Sequence, residues 1–459
     1  MARGRDRIPN EPSSDRSAAA KRELANQERL MALGDAVAQR SGVTRKPRKI
    51  RQHRLRRNLI IAGVSLIALV VVIAGGGYFY ANWQFSKITK LNVPGEVKAY
   101  SGRPFNILVI GSDSRKGLTG LTARQTGATT GSLSGKRSDV VKVVHVDPIA
   151  GTIATISIPR DTMVTLLANQ SLYGQFNRIN VNFGNGPSLL AQTITANFGI
   201  PINYTIVVSF AGLINAADAL GGVYLNFPYQ SWDPFSGLRI LHPGCQLVSG
   251  FQALAVTRSR HFYYNVKGST TFPKDSTTYN TLMSLGWTYD GTSDFGRINR
   301  QNAFLRAMVN RAKGIYNPLT ITSFLSKLPQ GIALDQKFTL NDLIGLAVKF
   351  HSLSANSIQT WTLPNYPALS SVGSVLFVQE PQTQQLLVNI FGKGLVAPTN
   401  PPPNPSLQTP APPRVTATVT TATTTTVPST KKKKSTTTTT KIPNPTLAVP
   451  SFDPVPCTP

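Results

Sequence analysis

Acidic residues are scarce in this chain. Among 459 residues, 20 Asp and Glu face 48 Lys and Arg, giving a formal net charge of +28 although only 15% of residues are charged. The imbalance comes from missing carboxylates rather than from an extreme number of cations, and charge alone leaves nucleic acid, anionic lipid and an anionic wall polymer equally open as partners. Cysteine is scarcer still: Cys245 and Cys457 allow one intramolecular disulfide at most. Nothing in the sequence has the spacing of a zinc or redox motif. The GxSxG, HExxH, P-loop and dinucleotide-binding patterns are also absent, which removes the motif basis for those enzyme classes. His242, His261 and His351 are scattered and read as structural.

One long apolar run is present and narrows the choice of partner. Leu59–Tyr80, LIIAGVSLIALVVVIAGGGYFY, has no charged residue in 22 positions, and as a helix it spans about 33 Å, enough to cross a bilayer. Lys46, Arg48, Lys49, Arg51, Arg54, Arg56 and Arg57 precede it, while only Lys87 and Lys90 follow closely. The positive-inside rule then puts the N-terminus in the cytoplasm and everything past about Trp83 outside, as a single-pass protein of the cell membrane. The run is too long and starts too far from Met1 for an ordinary cleaved signal peptide.

Composition divides the remainder. Residues 1–58 form a basic cytoplasmic tail with 16 Lys/Arg against 6 Asp/Glu, suited to an anionic membrane surface. A weak helical period runs through Ala18–Ala38, but its apolar stripe of Leu24, Leu30, Met31 and Leu33 is incomplete, and disorder is the preferred expectation there. After the transmembrane helix at 59–80 and a linker at 81–103, residues 104–397 carry alternating strand and helix patterns. Residues 398–459 are a Pro/Thr/Lys low-complexity tail, TATVTTATTTTVPSTKKKKSTTTTTK at its centre, expected to be disordered.

Within 104–397 the short apolar strand Phe105–Gly111 runs into SDSR. Asp139–Asp147 and Thr152–Ile158 form a hairpin-like pair around Pro148. Helical periods occur at Ser188–Phe198, AGLINAADAL, Asn299–Lys313 and Leu340–Leu353, whereas NYTIVVSF, VYLNF, VLFVQ and QLLVNIF read as strands. The fold class is α/β, an α+β-like mixed sheet flanked by helices.

The charged residues cluster where these elements end: Asp113 and Arg115 in GSDSR, Arg137 and Asp139 in KRSD, Arg160 and Asp161 in SIPRD, Arg258 and Arg260 in VTRSRH, and Arg297, Arg300 and Gln301 in DFGRINRQ. If the first strands are neighbours, Asp113, Asp139 and Arg160 meet on one edge. Two carboxylates there repel unless a cation lies between them, and Mg²⁺ is the hard ion that carboxylates share with phosphate oxygens. Arginine forks suit the remaining phosphate oxygens. Arg297, Arg300 and Gln301 would share one helix face. Singly, each residue has a plain alternative as a solvated turn residue. Together they describe an extracytoplasmic site for an anionic phosphate ester.

Seven segments, NILVIGSDSR, KRSDVVKVVHVDP, SIPRDTMV, RINVNFGNG, NYTIVVSFAGLINAADALGGVYLNF, VSGFQALAVTRSRH and DFGRINRQNAFLRAM, occur in an order that resembles the LytR-CpsA-Psr family over roughly residues 104–313. The long stretch between Arg260 and DFGR resembles actinobacterial members. The resemblance implies a phosphotransferase moving a glycopolymer, such as arabinogalactan or a teichoic acid, from a polyprenyl-pyrophosphate carrier to peptidoglycan. It implies Asp113 and Asp139 as magnesium ligands. Arg160, Arg258, Arg260 and Arg297 would be pyrophosphate contacts beside Gln301, with Arg115, Arg137, Asp161 and Arg300 in the same motifs. Either Asp113 or Asp161 could accept the proton of the attacking hydroxyl. Val140 stands where the family more often has threonine. Two other readings use the same residues: a polyprenyl-pyrophosphate phosphatase, and a non-catalytic wall-binding regulator. Nucleic-acid binding is disfavoured by the topology.

Overall fold

Which strands pair decides whether the charged segments meet, so register is the useful description. The computed structural model describes residues 14–40, 49–100, 102–118, 126, 137–275, 277–313, 318–328, 330–353, 357–404 and 450–458. It separates into two units, residues 1–74 and 75–459. In the first unit, helix α1 spans Ser14–Arg40. The expectation of disorder is corrected there: a run rich in Ala, Leu, Glu and Lys favours helix by propensity, although Leu24, Leu30, Met31 and Leu33 all remain exposed. Helix α2, Lys49–Ser86, runs through the boundary between the units and extends beyond the apolar stretch at both ends. Its segment Arg56–Ser86 contains an 18-residue window with a mean hydropathy of 2.8 and, among the described residues, is the helix long and apolar enough to cross a membrane.

The second unit is built on a mixed seven-stranded sheet. Its strands are β1 (Thr89–Leu91), β2 (Phe105–Ser112), β3 (Ser138–Asp147), β4 (Thr152–Ile158), β5 (Tyr204–Val208), β6 (Ile332–Asp335) and β7 (Gln359–Thr362), in the spatial order β1-β6-β5-β2-β3-β4-β7. β2 pairs antiparallel with β3 and parallel with β5, and β3 pairs antiparallel with β4. The C-terminal ends of β2, β4 and β5 therefore fall beside the start of β3 on one edge, the convergence that the sequence reading required. Gly111 is needed there because a Cβ on it would approach the Val140 Cβ to 2.7 Å.

β3 alternates as a strand covered on both faces should. Val141 and Val143 face the main core with Leu108, Ile110, Ile156, Ile158, Leu190 and Ile194. Val140, Lys142 and Val144 face the other way, into a cavity. That cavity is covered by helix α3 (Phe210–Ala219), helix α4 (Gly250–Arg258) and helix α5 (Ser293–Ala312).

Two further expectations are corrected. QLLVNIF is the body of a helix, Gln382–Phe391, not a late strand; Leu386, Leu387 and Phe391 are buried on one side of it. A short unbroken apolar run carries no period that separates the two states. The tail is ordered at both its described ends. The Asn400 N–H donates to the Ala196 carbonyl, and the Thr165 hydroxyl to that of Pro401. At the far end Val455–Pro456 adds a strand to Val223–Phe227, Phe452 stacks on Tyr264 with ring centroids 4.7 Å apart, and Cys457 is disulfide-bonded to Cys245. The central Thr/Lys run, like the Gly/Thr-rich loop between β2 and β3 for most of its length, lies outside the described residues.

The disulfide links positions 212 apart in sequence. Cys457→Ser should lower stability by roughly 2–5 kcal/mol, as loss of a native disulfide does. The check is a thermal melt with and without reductant: reductant should lower the wild-type midpoint and leave that of the variant unchanged.

Candidate active site

Buried guanidinium groups need carboxylates, and the site is organised by how few there are. Asp139, at the start of β3, accepts from Arg160 Nη1 at 2.7 Å. Asp294, in the first turn of α5, holds two arginines at once, Arg260 through Nε and Arg297 through Nη2, each at 2.9 Å. Arg297 also donates to the Asp139 carbonyl at 3.1 Å, tying α5 to the sheet edge. Asp233 is fully buried and pins the chain after α4: its Oδ2 accepts from the Ser259 hydroxyl and from the N–H groups of Arg260 and His261.

Arg258 stands apart. Among the described residues it makes no ion pair, and its guanidinium lies 4.8 Å from the centre of the Phe210 ring. Burial, and after it the charge of Arg115, holds Arg258 below the ordinary arginine value. A cation kept half-buried without a partner carboxylate is an anion site in waiting.

These groups line one end of a cavity of about 490 Å³: Asp139, Arg160, Arg258, Arg260, Arg297 and Gln301, with Asp233 and His261. Toward the opposite end the lining is apolar, with Val144, Leu213, Phe304, Leu305 and Met308, and Val109 and Ile332 add apolar surface level with Lys142 and Val140. Two elements carry the change in polarity side by side. Along α5 the lining residues run Arg297, Gln301, Phe304, Leu305, Met308, and along β3 they run Asp139, Val140, Lys142, Val144.

Of the residues expected from sequence, five take other positions. Asp113 lies at the end of β2, where its carboxyl is raised by burial and, beyond that, by Asp139. Arg137 is exposed and contributes its backbone, its N–H donating to Asp113 Oδ1 at 3.4 Å. Arg115 sits close enough to act electrostatically on both Asp113 and Arg258. Asp161 lies between Arg160 and Arg178, each 3.5 Å away.

Arg300 is the clearest departure. It is fully buried away from the cavity, donating to Asp290 at 3.0 Å, to Asp453 at 2.5 Å and to the Ser259 carbonyl at 3.1 Å. Three residues advance a helix by about 300° and four by about 400°, so Arg300 and Gln301 fall on opposite sides of Arg297, only one of them toward the cavity. The Arg300 guanidinium passes so close to Gly296 that a Cβ there would come within 2.8 Å of Nη2. Through Ser259, Arg300 and Asp453 hold the segment between Arg258 and Arg260. Sequence reasoning missed Asp233, Asp294, Asp453 and Lys142. Asp294 could have been found from its i,i+3 spacing to Arg297, and Lys142 from its place in the alternation of DVVKVV. Asp233 and Asp453 carried no local signal.

A mixed sheet flanked by helices, with a cavity cationic at one end and apolar at the other, defines a protein suited to an anionic group borne on a hydrophobic tail. The chain matches the LytR_cpsA_psr family over residues 80–267 and 287–390, and it belongs to that family. It is 32% identical over 228 residues to the probable cell wall biosynthesis protein LcpB of Corynebacterium glutamicum, a match covering 50% of each chain. The actinobacterial relationship follows from that similarity. It is 24% identical over 276 residues to the polyisoprenyl-teichoic acid–peptidoglycan teichoic acid transferase TagU of Bacillus subtilis, covering 58% of this chain and 73% of that one. The LytR-Csp2A-Psr enzyme from Actinomyces oris shares the fold, with a TM-score of 0.50 at 19% identity over 68% of this chain and 97% of that structure.

Arg300→Met should destabilise the fold by about 3–5 kcal/mol, because it strands the buried Asp290 and Asp453. Arg258→Ala removes no ion pair and should leave the melting midpoint within a degree or two or raise it. Thermal melts of both variants in the same buffer test the contrast, and equal destabilisation would sink this division of roles.

Proposed function

We propose that this protein transfers a cell-wall glycopolymer from a polyprenyl-pyrophosphate-linked carrier to peptidoglycan, leaving the polymer attached through a phosphodiester. The observation that carries the reading is that one cavity joins an arginine-lined part to an apolar part. A pyrophosphate with a polyprenyl chain needs both, in that order. The relative TagU, named for transfer of teichoic acid from a polyisoprenyl carrier to peptidoglycan, supports the same reaction class. The apolar segment of α2 is the single-pass anchor, with the basic N-terminal tail against anionic lipid in the cytoplasm and the cavity outside the cell.

In this reading Arg160, Arg258, Arg260 and Arg297 hold the pyrophosphate, with Gln301 beside them. Asp294 fixes the forks of Arg260 and Arg297 before substrate arrives, so little reorganisation is needed when charge develops. A sugar hydroxyl of peptidoglycan attacks the phosphorus on the glycan side. The bridging P–O bond breaks, and polyprenyl phosphate leaves along the apolar part. Asp161 is engaged by Arg160 and Arg178, whereas Asp113 keeps a carboxyl raised by burial and is the group that receives the hydroxyl proton.

Asp113 and Asp139 also fit a magnesium ion. Burial, and to a smaller extent the charge of Asp139, raises the Asp113 carboxyl, and a divalent cation would offset both. Among the described residues no cluster of three or more His, Cys, Asp or Glu encloses a metal, so remaining ligands would be phosphate oxygens and water, which suits Mg²⁺. Bound there, Mg²⁺ would neutralise charge on the pyrophosphate oxygens. The polymer is arabinogalactan or a teichoic-acid-like chain.

Reconstitution of the full-length protein with synthetic carrier-linked glycans of both kinds and peptidoglycan fragments tests the proposal. Label should pass to peptidoglycan with one class of glycan, and chelation of Mg²⁺ should abolish transfer. Arg160→Ala and Arg258→Ala should each lower the rate by roughly 100-fold or more, the scale for removing a charge-stabilising donor, while both proteins remain folded in the membrane. Near-normal transfer by either variant would overturn the arginine assignments. Phosphate release without acceptor and no transfer with it would make the protein a phosphatase.

A further inference from the structure

One buried cation has no part in the scheme above. Lys142 is 5% exposed on the middle of a central strand, and among the described residues no carboxylate lies within ion-pairing distance of it. Its amine donates to Ser157 Oγ at 2.5 Å and to Asn302 Oδ1 at 2.7 Å. Both acceptors are neutral, and a tetrahedral amine keeps one further direction free for a partner. Lys142 lines the cavity. Register places it between Val109 on β2 and Ser157 on β4. Along β3 it falls between Asp139 at the charged end and Val144 at the apolar end. On α5, Gln301 lines the cavity between Arg297 and Phe304, and its neighbour Asn302 receives the amine directly. The lysine therefore stands at the neck where the two halves of the cavity join. A core position of this kind ordinarily takes an apolar residue, and a desolvated amine there without a counter-ion is costly unless an anion visits it.

We propose that the Lys142 amine binds the phosphate adjoining the hydrophobic tail of the lipid-linked substrate, the phosphate that departs with the tail. This rests on the proposed function, because the tail's course into the apolar end is what brings that phosphate to the neck. When the acceptor oxygen bonds the glycan-side phosphorus, the electron pair of the bridging P–O bond stays on the departing phosphate. Its new negative charge develops beside the amine, while the acceptor proton goes to Asp113 as before. No proton has to pass from the lysine.

The charged groups around the amine are few. Asp139 lies on its own strand, Arg160 beyond the end of β4, and Arg297 on α5; Asp233, Arg258, Arg260 and His261 lie further round the same cavity, and β2 presents only Val109, Gly111 and Ser112. Burial, followed by Arg297, pushes the amine down to about 7. At pH 8 it is mostly neutral, so an arriving phosphate draws a proton onto it and binding weakens as pH rises above 7.

The test is calorimetry of the full-length protein in detergent with geranyl pyrophosphate at pH 8, in two buffers of different ionisation enthalpy. Wild type should take up about one proton per ligand bound. Lys142→Met should take up none and bind roughly ten-fold weaker or worse, the scale of a lost charge-assisted hydrogen bond. Lys142→Arg should recover affinity without proton uptake. A wild type that binds without taking up a proton, or a folded Lys142→Met that matches it in affinity and uptake, overturns the lysine's role and leaves the functional reading standing. Should Lys142→Met fail to fold, wild-type uptake and the arginine variant still decide. A wild type that binds no geranyl pyrophosphate overturns both.

Discussion

Burying a guanidinium group requires a carboxylate or carbonyl to receive it, and this chain has few carboxylates to spend. Asp294 and Asp233 consequently each serve several donors, while Arg300 draws two carboxylates to itself. Asp294 takes Arg260 and Arg297, Asp233 takes three donors from the segment Ser259–His261, and Asp290 and Asp453 share Arg300. This sharing locks the positions of the arginines relative to one another. It also leaves a surplus: Arg258 has no carboxylate among the described residues, and Lys142 has only neutral partners. The surplus sits in one cavity, and its opposite end offers no charge at all.

The cavity's two-sided character comes from two different periodicities brought into step. A strand presents every second residue to one face, and a helix every third or fourth. β3 and α5 both pass from charged to apolar along the cavity, the strand over Asp139 to Val144 and the helix over Arg297 to Met308. Neither segment is amphipathic in the ordinary sense of a wet face and a dry face, because both are covered. The polarity changes along their length instead of around it, which fits a ligand that is itself polar at one end.

Much of this was legible in the sequence. The strands ending in GSDSR and SIPRD, and the one beginning after KRSD, announced themselves by apolar runs followed by turn residues, and antiparallel pairing was enough to bring their ends together. Where the reading failed, local pattern was ambiguous or silent. QLLVNIF has no period that separates helix from strand, and packing decided for helix. Arg297, Arg300 and Gln301 were placed on one face by spacing alone, yet a third of a turn separates cavity from core at that point, so Arg300 went to Asp290 and Asp453. The tail looked unable to bury anything because its middle is threonine, lysine and proline. Its last residues, Phe452, Asp453 and Cys457, complete the domain.

By itself the sequence determined the apolar helix, the strand and helix succession, and the family-ordered set of charged motifs, because each is written in contiguous residues. Only the tertiary structure decided which charges face the cavity and which are cancelled inside the protein. Asp453 stands 153 positions from the arginine it neutralises, and Lys142 is 160 from the asparagine that holds it. Compensation between buried charges is a property of distance in space, and no local pattern records it.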